Sequence, residues 1–269
     1  MTSWDDKLKE KLDSYEYHSE AEEHQVQNFF NQMDGKASVS TTGFPWMKIA
    51  AVLLVTVGLS WVVYQFAEVT IITELAETKD LILPDGSEIA LNVATEVNYN
   101  RISWYWKREV KLEGEAFFKV KKGSDFAVLS DLGSTHVLGT SFNILARANS
   151  YEVKCYTGKV GVSSKEYQVK LQPGEGVIVN SNLSRESIKF EAVVPEWTKG
   201  MYTYDNTPLV EVLADFELAY GMKVVISDEW LDEGYTGYFP TNDLDKALKL
   251  VFEPLGLTYE VSGKKVNAK

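Results

Sequence analysis

The chain is poor in the residues from which active sites are most often built. Among 269 residues there is one cysteine and there are three histidines, and 27 Lys and Arg face 39 Asp and Glu. The lone Cys155 cannot close an internal disulfide, and beside Val153 in a strand-like run it reads as a small buried hydrophobe, so redox chemistry is not indicated. His136 is the only histidine in the long C-terminal part: a Ser-His-Asp site would rest on it alone, and a zinc site would need it with Cys155 and carboxylates from separate strands. A net charge of −12 and a pI near 4.8 leave no basic stripe to neutralise phosphates, which argues against direct nucleic-acid binding. Gly133 to Gly139 (GSTHVLG) lacks the Gly-Lys-Ser/Thr ending of a phosphate loop. Glu113 and Glu115 share a strand face and read as a solvated edge rather than an acid–base pair. No enzyme, cofactor or metal site is expected.

What is present is one long apolar run. From Phe44 to Phe66 the only charge is Lys48, and Ile49 to Val63 holds nothing more polar than Thr56 and Ser60. A helix of about 20 apolar residues spans bilayer hydrocarbon with its backbone satisfied internally. Trp46 stands near one end and Trp61 and Tyr64 near the other, where amphipathic rings prefer the headgroup level. Lys36 and Lys48 precede most of the span, whereas Glu68, Glu74 and Glu77 follow it before the first base, Lys79. Positive charge stays inside. The expectation is therefore an inner-membrane, single-pass protein with a cytoplasmic N-terminus and a periplasmic C-terminus, the helix serving as signal and anchor.

The tail before the span opens with Trp4, Leu8, Leu12 and Tyr15 and resumes with Val26, Phe29, Phe30 and Met33, each set on helical spacing, with Glu16, Glu20, Glu22 and Glu23 between. One or two acidic amphipathic helices ending near Gly35 follow from this, too small to build a core and so suited to docking a partner through Trp4, Leu8, Leu12, Phe29 and Phe30. Lys36 to Gly43 reads as a linker.

After the span, Glu68 to Asp80 reads as a link into short strands. Leu81 to Leu83 meets the turn Pro84-Asp85-Gly86; Ile89, Leu91 and Val93 alternate; and strand-like runs follow at 110–120, 126–129, 135–146, 151–162 and 169–179. Such spacing without a helical period argues an all-β domain. Near Pro195 the pattern changes. Thr207 reads as a helix cap with Pro208 at the first helical position, and Gly221 closes that helix before a strand at 223–226. A shift of 35 residues lays Leu244, Ala247, Leu248, Val251 and Gly256 over Leu209, Val212, Leu213, Phe216 and Gly221. With leading strands at 201–204 and 235–238 this is a small α+β domain of two strand-helix-strand repeats, in which Pro254 should end the second helix early.

Several of these stretches recur together in a known family. Leu83-Pro84-Asp85-Gly86-Ser87 with Leu91-Asn92, then 108–120 (REVKLEGEAFFKV), 137–143 (VLGTSFN), Gly158-Lys159-Val160 and Leu171-Gln172-Pro173-Gly174-Glu175 resemble the FecR family of membrane anti-sigma regulators. The C-terminal repeat resembles the secretin/TonB short N-terminal type of domain that follows the FecR domain in many members from Bacteroidetes. The tail is shorter than is usual in that family and carries no recognised motif, and Asp125 stands before Phe126 where the family often has proline.

The resemblance covers about 70 to 269, and with the apolar run and the tail it implies a membrane-anchored, multidomain regulator: a helical tail (1–43), a transmembrane helix (44–66), an all-β FecR-like domain (67–194) and an α+β domain (195–269). It implies relay from an outer-membrane TonB-dependent transporter to a cytoplasmic extracytoplasmic-function sigma factor. An envelope scaffold without a sigma partner is the alternative. Some FecR-like regulators also cleave themselves at a Gly-Thr bond, which makes Gly139-Thr140 a candidate: a threonine hydroxyl can attack the preceding carbonyl when the backbone is strained and no side chain intervenes. Otherwise Gly139 makes a bulge and Thr140 lies in a strand.

Overall fold

The computed structural model describes residues 4–33, 45–147, 150–164, 167–180 and 184–269. The tail forms one continuous helix, α1 (Trp4–Met33), and the linker expected at Lys36 to Gly43 lies outside the described residues. Helix α2 (Pro45–Gln65) opens on a proline, whose missing N–H has no partner to lose at that position. Trp46–Gln65 is exposed along its length and is long and apolar enough to cross a membrane.

The β region is two sheets that share one strand. The first is built from β1 (Glu68–Thr73), β4 (Thr95–Asn100), β5 (Arg108–Lys119), β6 (Phe126–Leu129), β7 (Ser134–Val137), β10 (Val160–Ser163) and β11 (Gln168–Leu171). The second joins β2 (Lys79–Ile82), β3 (Glu88–Leu91), the same β5, β8 (Ser141–Arg147), β9 (Ser150–Thr157), β12 (Glu175–Asn180) and β13 (Arg185–Lys189). Strand β5 pairs with β4 and β6 up to Glu113 and with β3 and β8 from Gly114 onward. Gly114 is where it changes sheets: φ is 110°, and a Cβ there would stand 2.6 Å from Thr95 Cα.

The space between the sheets is filled by alternating inward residues. A run of rings crosses it. Tyr99 meets Trp104, Trp104 and Phe118 meet Phe126 edge-on, and Phe118 stacks on Phe142 with centroids 5.0 Å apart. Each such buried ring contributes on the order of 1.5–3 kcal/mol by burial. The Pro84-Asp85-Gly86 turn is clasped to β5. Arg108, 8% exposed, reaches Asp85 at 2.9 Å and the Lys121 carbonyl at 3.1 Å, while Ser87 Oγ accepts from Lys121 N. Burial pushes the Asp85 carboxyl up, but bonds from Ser87 and Arg108 outweigh it and hold the group below its ordinary value.

Several expected boundaries move. Glu68 to Asp80 is not a link: β1 and the start of β2 occupy it, and Val69, Ile71 and Thr73 turn inward against β4 in a run too short and too acid-flanked to stand out. The runs at 135–146, 151–162 and 169–179 each split in two, at Leu138 to Thr140, at Gly158-Lys159 and at Gln172 to Gly174, because the chain passes from one sheet to the other at each break.

The C-terminal part pairs β14 (Met201–Pro208) with β16 (Gly234–Pro240), and packs α3 (Leu209–Tyr220) and α4 (Leu244–Phe252) in one core around Phe216, Phe239 and Phe252. The trailing strands β15 (Lys223–Val225) and β17 (Tyr259–Ser262) both flank a last strand, β18 (Lys265–Ala268). The repeat is visible in the caps, since Gly221 and Gly256 end their helical segments at φ 61° and 72°. Thr207 is not the cap of α3. It belongs to β14, Pro208 takes the N-cap, and the first free amides of the helix, Leu209 and Val210, donate to the Glu233 and Leu231 carbonyls instead. Pro254 ends α4 as expected and sits in a 3-10 turn, Glu253–Leu255.

Candidate functional site

Three places carry the residues singled out by the sequence. On α1, Leu8 (54% exposed), Leu12 (59%), Val26, Phe29 (60%) and Phe30 (57%) are bare, with Phe29 and Phe30 in edge contact at 6.1 Å. Because the helix is unbroken, these five positions fall within about 100° of arc and form one stripe about 33 Å long from Leu8 to Phe30. Trp4 begins the helix, but its side chain lies outside the described residues.

The second place is Gly139-Thr140, between β7 and β8. Gly139 has φ 154°, and a Cβ on it would lie 2.7 Å from Lys122 Cα, so the close crossing of the 120–123 segment requires glycine. Thr140 is 4% exposed, its hydroxyl donates to the Lys159 carbonyl at 3.1 Å, and its carbonyl accepts from Val120 N. Gly158 packs on the pair, its ideal Cβ position 2.8 Å from Thr140 Oγ1. Thr140 thus precedes the strand rather than lying in it, and the irregularity in the β8–β9 ladder falls one step on, between Ser141 and Phe142. The partner of the hydroxyl is a neutral carbonyl, which can orient a proton but not remove it.

The third place was not foreseen. Glu115, which the alternation assigns to a solvated edge together with Glu113, lies instead at the seam between the β region and the C-terminal part. Asn92 and Asn143 each donate through Nδ2 to one of its carboxylate oxygens, at 2.7 and 2.8 Å. Both amides are oriented by further bonds. Asn92 Oδ1 accepts from Val93 N and its Nδ2 also donates to Tyr202 Oη at 2.9 Å, while Asn143 Oδ1 accepts from Trp197 Nε1 at 3.3 Å. Glu115 is therefore held by two side chains that also hold Tyr202 and Trp197 of the C-terminal part. Nearby, Tyr204 donates to Asp215 at 3.0 Å, and Ala76 N donates to the Leu218 carbonyl at 3.0 Å, tying the loop after β1 to the end of α3.

Removal from water pushes both Glu115 and Asp215 up from the ordinary carboxylate value. Bonds from Asn143 and Asn92 and the charge of Arg147 oppose the shift at Glu115, and Tyr204 and Arg147 oppose it at Asp215. Arg147 donates through Nη2 to the Val93 carbonyl at 3.2 Å. Through these bonds the seam links the β region to the C-terminal part. Asn92 and Asn143 stood inside the motifs Leu91-Asn92 and Phe142-Asn143; a polar amide interrupting a core strand was the available signal.

The other sequence candidates stay apart. His136 pairs with Asp125 at 3.0 Å on the surface, and Cys155 is buried with its thiol pushed up to about 11 by burial. Among the described residues no group of three His, Cys, Asp or Glu is placed to hold a metal ion.

Residues 69–161 match the family model described as FecR protein, and residues 201–267 match the one described as FecR, C-terminal. Two crystal structures, at 1.65 and 2.50 Å resolution, of a candidate anti-sigma factor from Parabacteroides distasonis are similar to the chain, each with 28% identity and a TM-score of 0.68. Each alignment covers 75% of this chain and 98% of the other. The comparison with curated proteins gave no match.

Proposed function

The chain belongs to the FecR family of anti-sigma regulators, and from that premise we propose a single-pass inner-membrane signal transducer that acts by binding rather than turnover. In this reading α2 spans the membrane, α1 lies in the cytoplasm and holds an extracytoplasmic-function sigma factor along its apolar stripe. The β and C-terminal domains lie in the periplasm, where the latter takes a signal from a TonB-dependent outer-membrane transporter.

The observation that carries the reading is the stripe itself. A helix of 30 residues that leaves Leu8, Leu12, Phe29 and Phe30 bare on one face has no core to bury them and fits a groove on a partner. The seam around Glu115 supports the periplasmic half, because its hydrogen bonds couple the C-terminal domain to the β domain. Ala76, three residues beyond β1, adds a backbone bond from the loop after β1 to α3.

Replacing Leu8 and Leu12 by Asp should abolish co-purification with the cognate sigma factor while membrane insertion persists. Loss of central anchors costs on the order of 2 kcal/mol or more, about thirtyfold in affinity. Undiminished capture would mean that the stripe is not the docking face, and absence of capture by the unaltered protein would turn the reading to the envelope scaffold without a sigma partner.

A further inference from the structure

Where the apolar helix meets the β domain the chain is pinned. Ala67 N and Asn100 Nδ2 both donate to the Tyr64 carbonyl, at 3.2 and 3.0 Å, and Arg101 N donates to the Ala67 carbonyl at 2.9 Å. The turn after β4 is thereby held against the end of α2. Its shape is fixed as well: Asn100 Oδ1 accepts from the amides of Ile102 and Ser103, and Trp106 N and Lys107 N close on the Ser103 carbonyl. Trp104 is turned into the core, 6% exposed, between Tyr99 and Phe126. With that ring as the inward peg, the next two residues face out. Tyr105 is 89% exposed and Trp106 74%, and Phe66 at the helix end is 87% exposed.

Two adjacent, rigidly presented aromatic residues left bare on a domain surface mark an interaction site. Arg101 and Lys107 flank them in a chain whose net charge is −12, Lys107 also pairing with Glu109 at 2.6 Å. Tyrosine and tryptophan beside cations are the chemistry of the lipid headgroup level. The position agrees. The 21 residues of α2 are about 31 Å long, matching a hydrocarbon thickness of about 30 Å, so Tyr64 falls at one interface and a turn bonded to Tyr64 and Ala67 lies at the same level.

We propose that Phe66, Arg101, Tyr105, Trp106 and Lys107 form a membrane foot, a second contact with the headgroup layer of the membrane that α2 spans. The proposal rests on reading α2 as a span. The occupant is lipid, and a protein partner at this turn is an outcome of the test.

The full chain is reconstituted in phosphatidylcholine–phosphatidylglycerol vesicles, with a nitroxide placed by Tyr105→Cys or Trp106→Cys, each leaving the other aromatic in place, by Leu54→Cys in the helix, and by Val225→Cys in the C-terminal domain. The native Cys155 is buried with its thiol raised to about 11 and stays unlabelled. The expected result is high oxygen and low aqueous-nickel access at 54, free nickel access at 225, and an oxygen-to-nickel ratio at 105 and 106 severalfold above that at 225. Ratios at 105 and 106 equal to that at 225, with 54 still deep, overturn the foot and leave the span. Shielding of 105 and 106 from both relaxants identifies a protein contact and overturns the lipid assignment. Free nickel access at 54 overturns the span and the foot with it.

Discussion

Thr140 and its neighbours show how a suggestive dipeptide acquires its meaning from what surrounds it. The Gly139 backbone is unusual because the Lys122 segment crosses it, and Gly158 is held against both residues, so the geometry is accounted for by packing. The hydroxyl gives its proton to the Lys159 carbonyl, and no titratable side chain among its bonds could accept it. Folded wild-type protein should therefore remain a single chain by intact mass after prolonged incubation. Thr140→Ala should lower stability by about 1 kcal/mol through the lost bond, and Thr140→Ser should recover most of it. Two fragments meeting at Gly139-Thr140, absent in Thr140→Ala, would instead make Thr140 a nucleophile. The dipeptide was legible in the sequence, whereas the crossing of three segments that explains it was not, since Lys122 and Lys159 are brought to it by separate strand connections.

Among the elements, α1 and α2 were the most legible, because apolar spacing over a long helix survives without any tertiary partner. What the sequence left open in α1 was whether the chain breaks among Glu16 to Glu23. The single helix places both apolar sets on one face, where two helices would have presented two shorter faces. For α2 the flanking charges carry a testable consequence, Lys36 and Lys48 on one side and Glu68, Glu74 and Glu77 on the other. Alkaline phosphatase fused after Lys269 should be active in cells and the same enzyme fused before Met1 should not. Activity confined to the N-terminal fusion would reverse the orientation. The strands were read less well. Strands β1, β4, β13 and β18 were missed and three longer runs were divided, since a short strand is defined by the neighbour it pairs with more than by its own residues.

At the scale of the molecule, the seam around Glu115 is the feature with a pH signature. The native carboxyls of Glu115 and Asp215 are raised, so the folded chain holds protons that the unfolded chain releases. Their contribution to stability is present at acid pH and is lost as pH rises from the ordinary carboxylate range through the raised native values. Arg147 draws both groups back, while the charges on Glu211 and Glu152 add to the rise at Asp215. In Glu115→Gln the amide must set an NH2 against Asn92 or Asn143, whose own orientations are fixed by Val93 N and Trp197. The variant should lose about 1–3 kcal/mol at neutral pH by thermal unfolding of the full chain, and its stability should fall less steeply with rising pH than that of the wild type. Equal slopes in the two proteins would remove Glu115 from the titration. The sequence by itself determined the apolar helix, the amphipathic tail, the β-rich middle and the duplicated α+β end, because each is written in local periodicity or turn chemistry that needs no distant residue. Only the tertiary structure decided that Glu115 faces a seam and not water, and that Tyr105 and Trp106 stand beside the helix end. Both depend on which strands become neighbours: Gly114 carries β5 from one sheet to the other, and Trp104 takes the inward place.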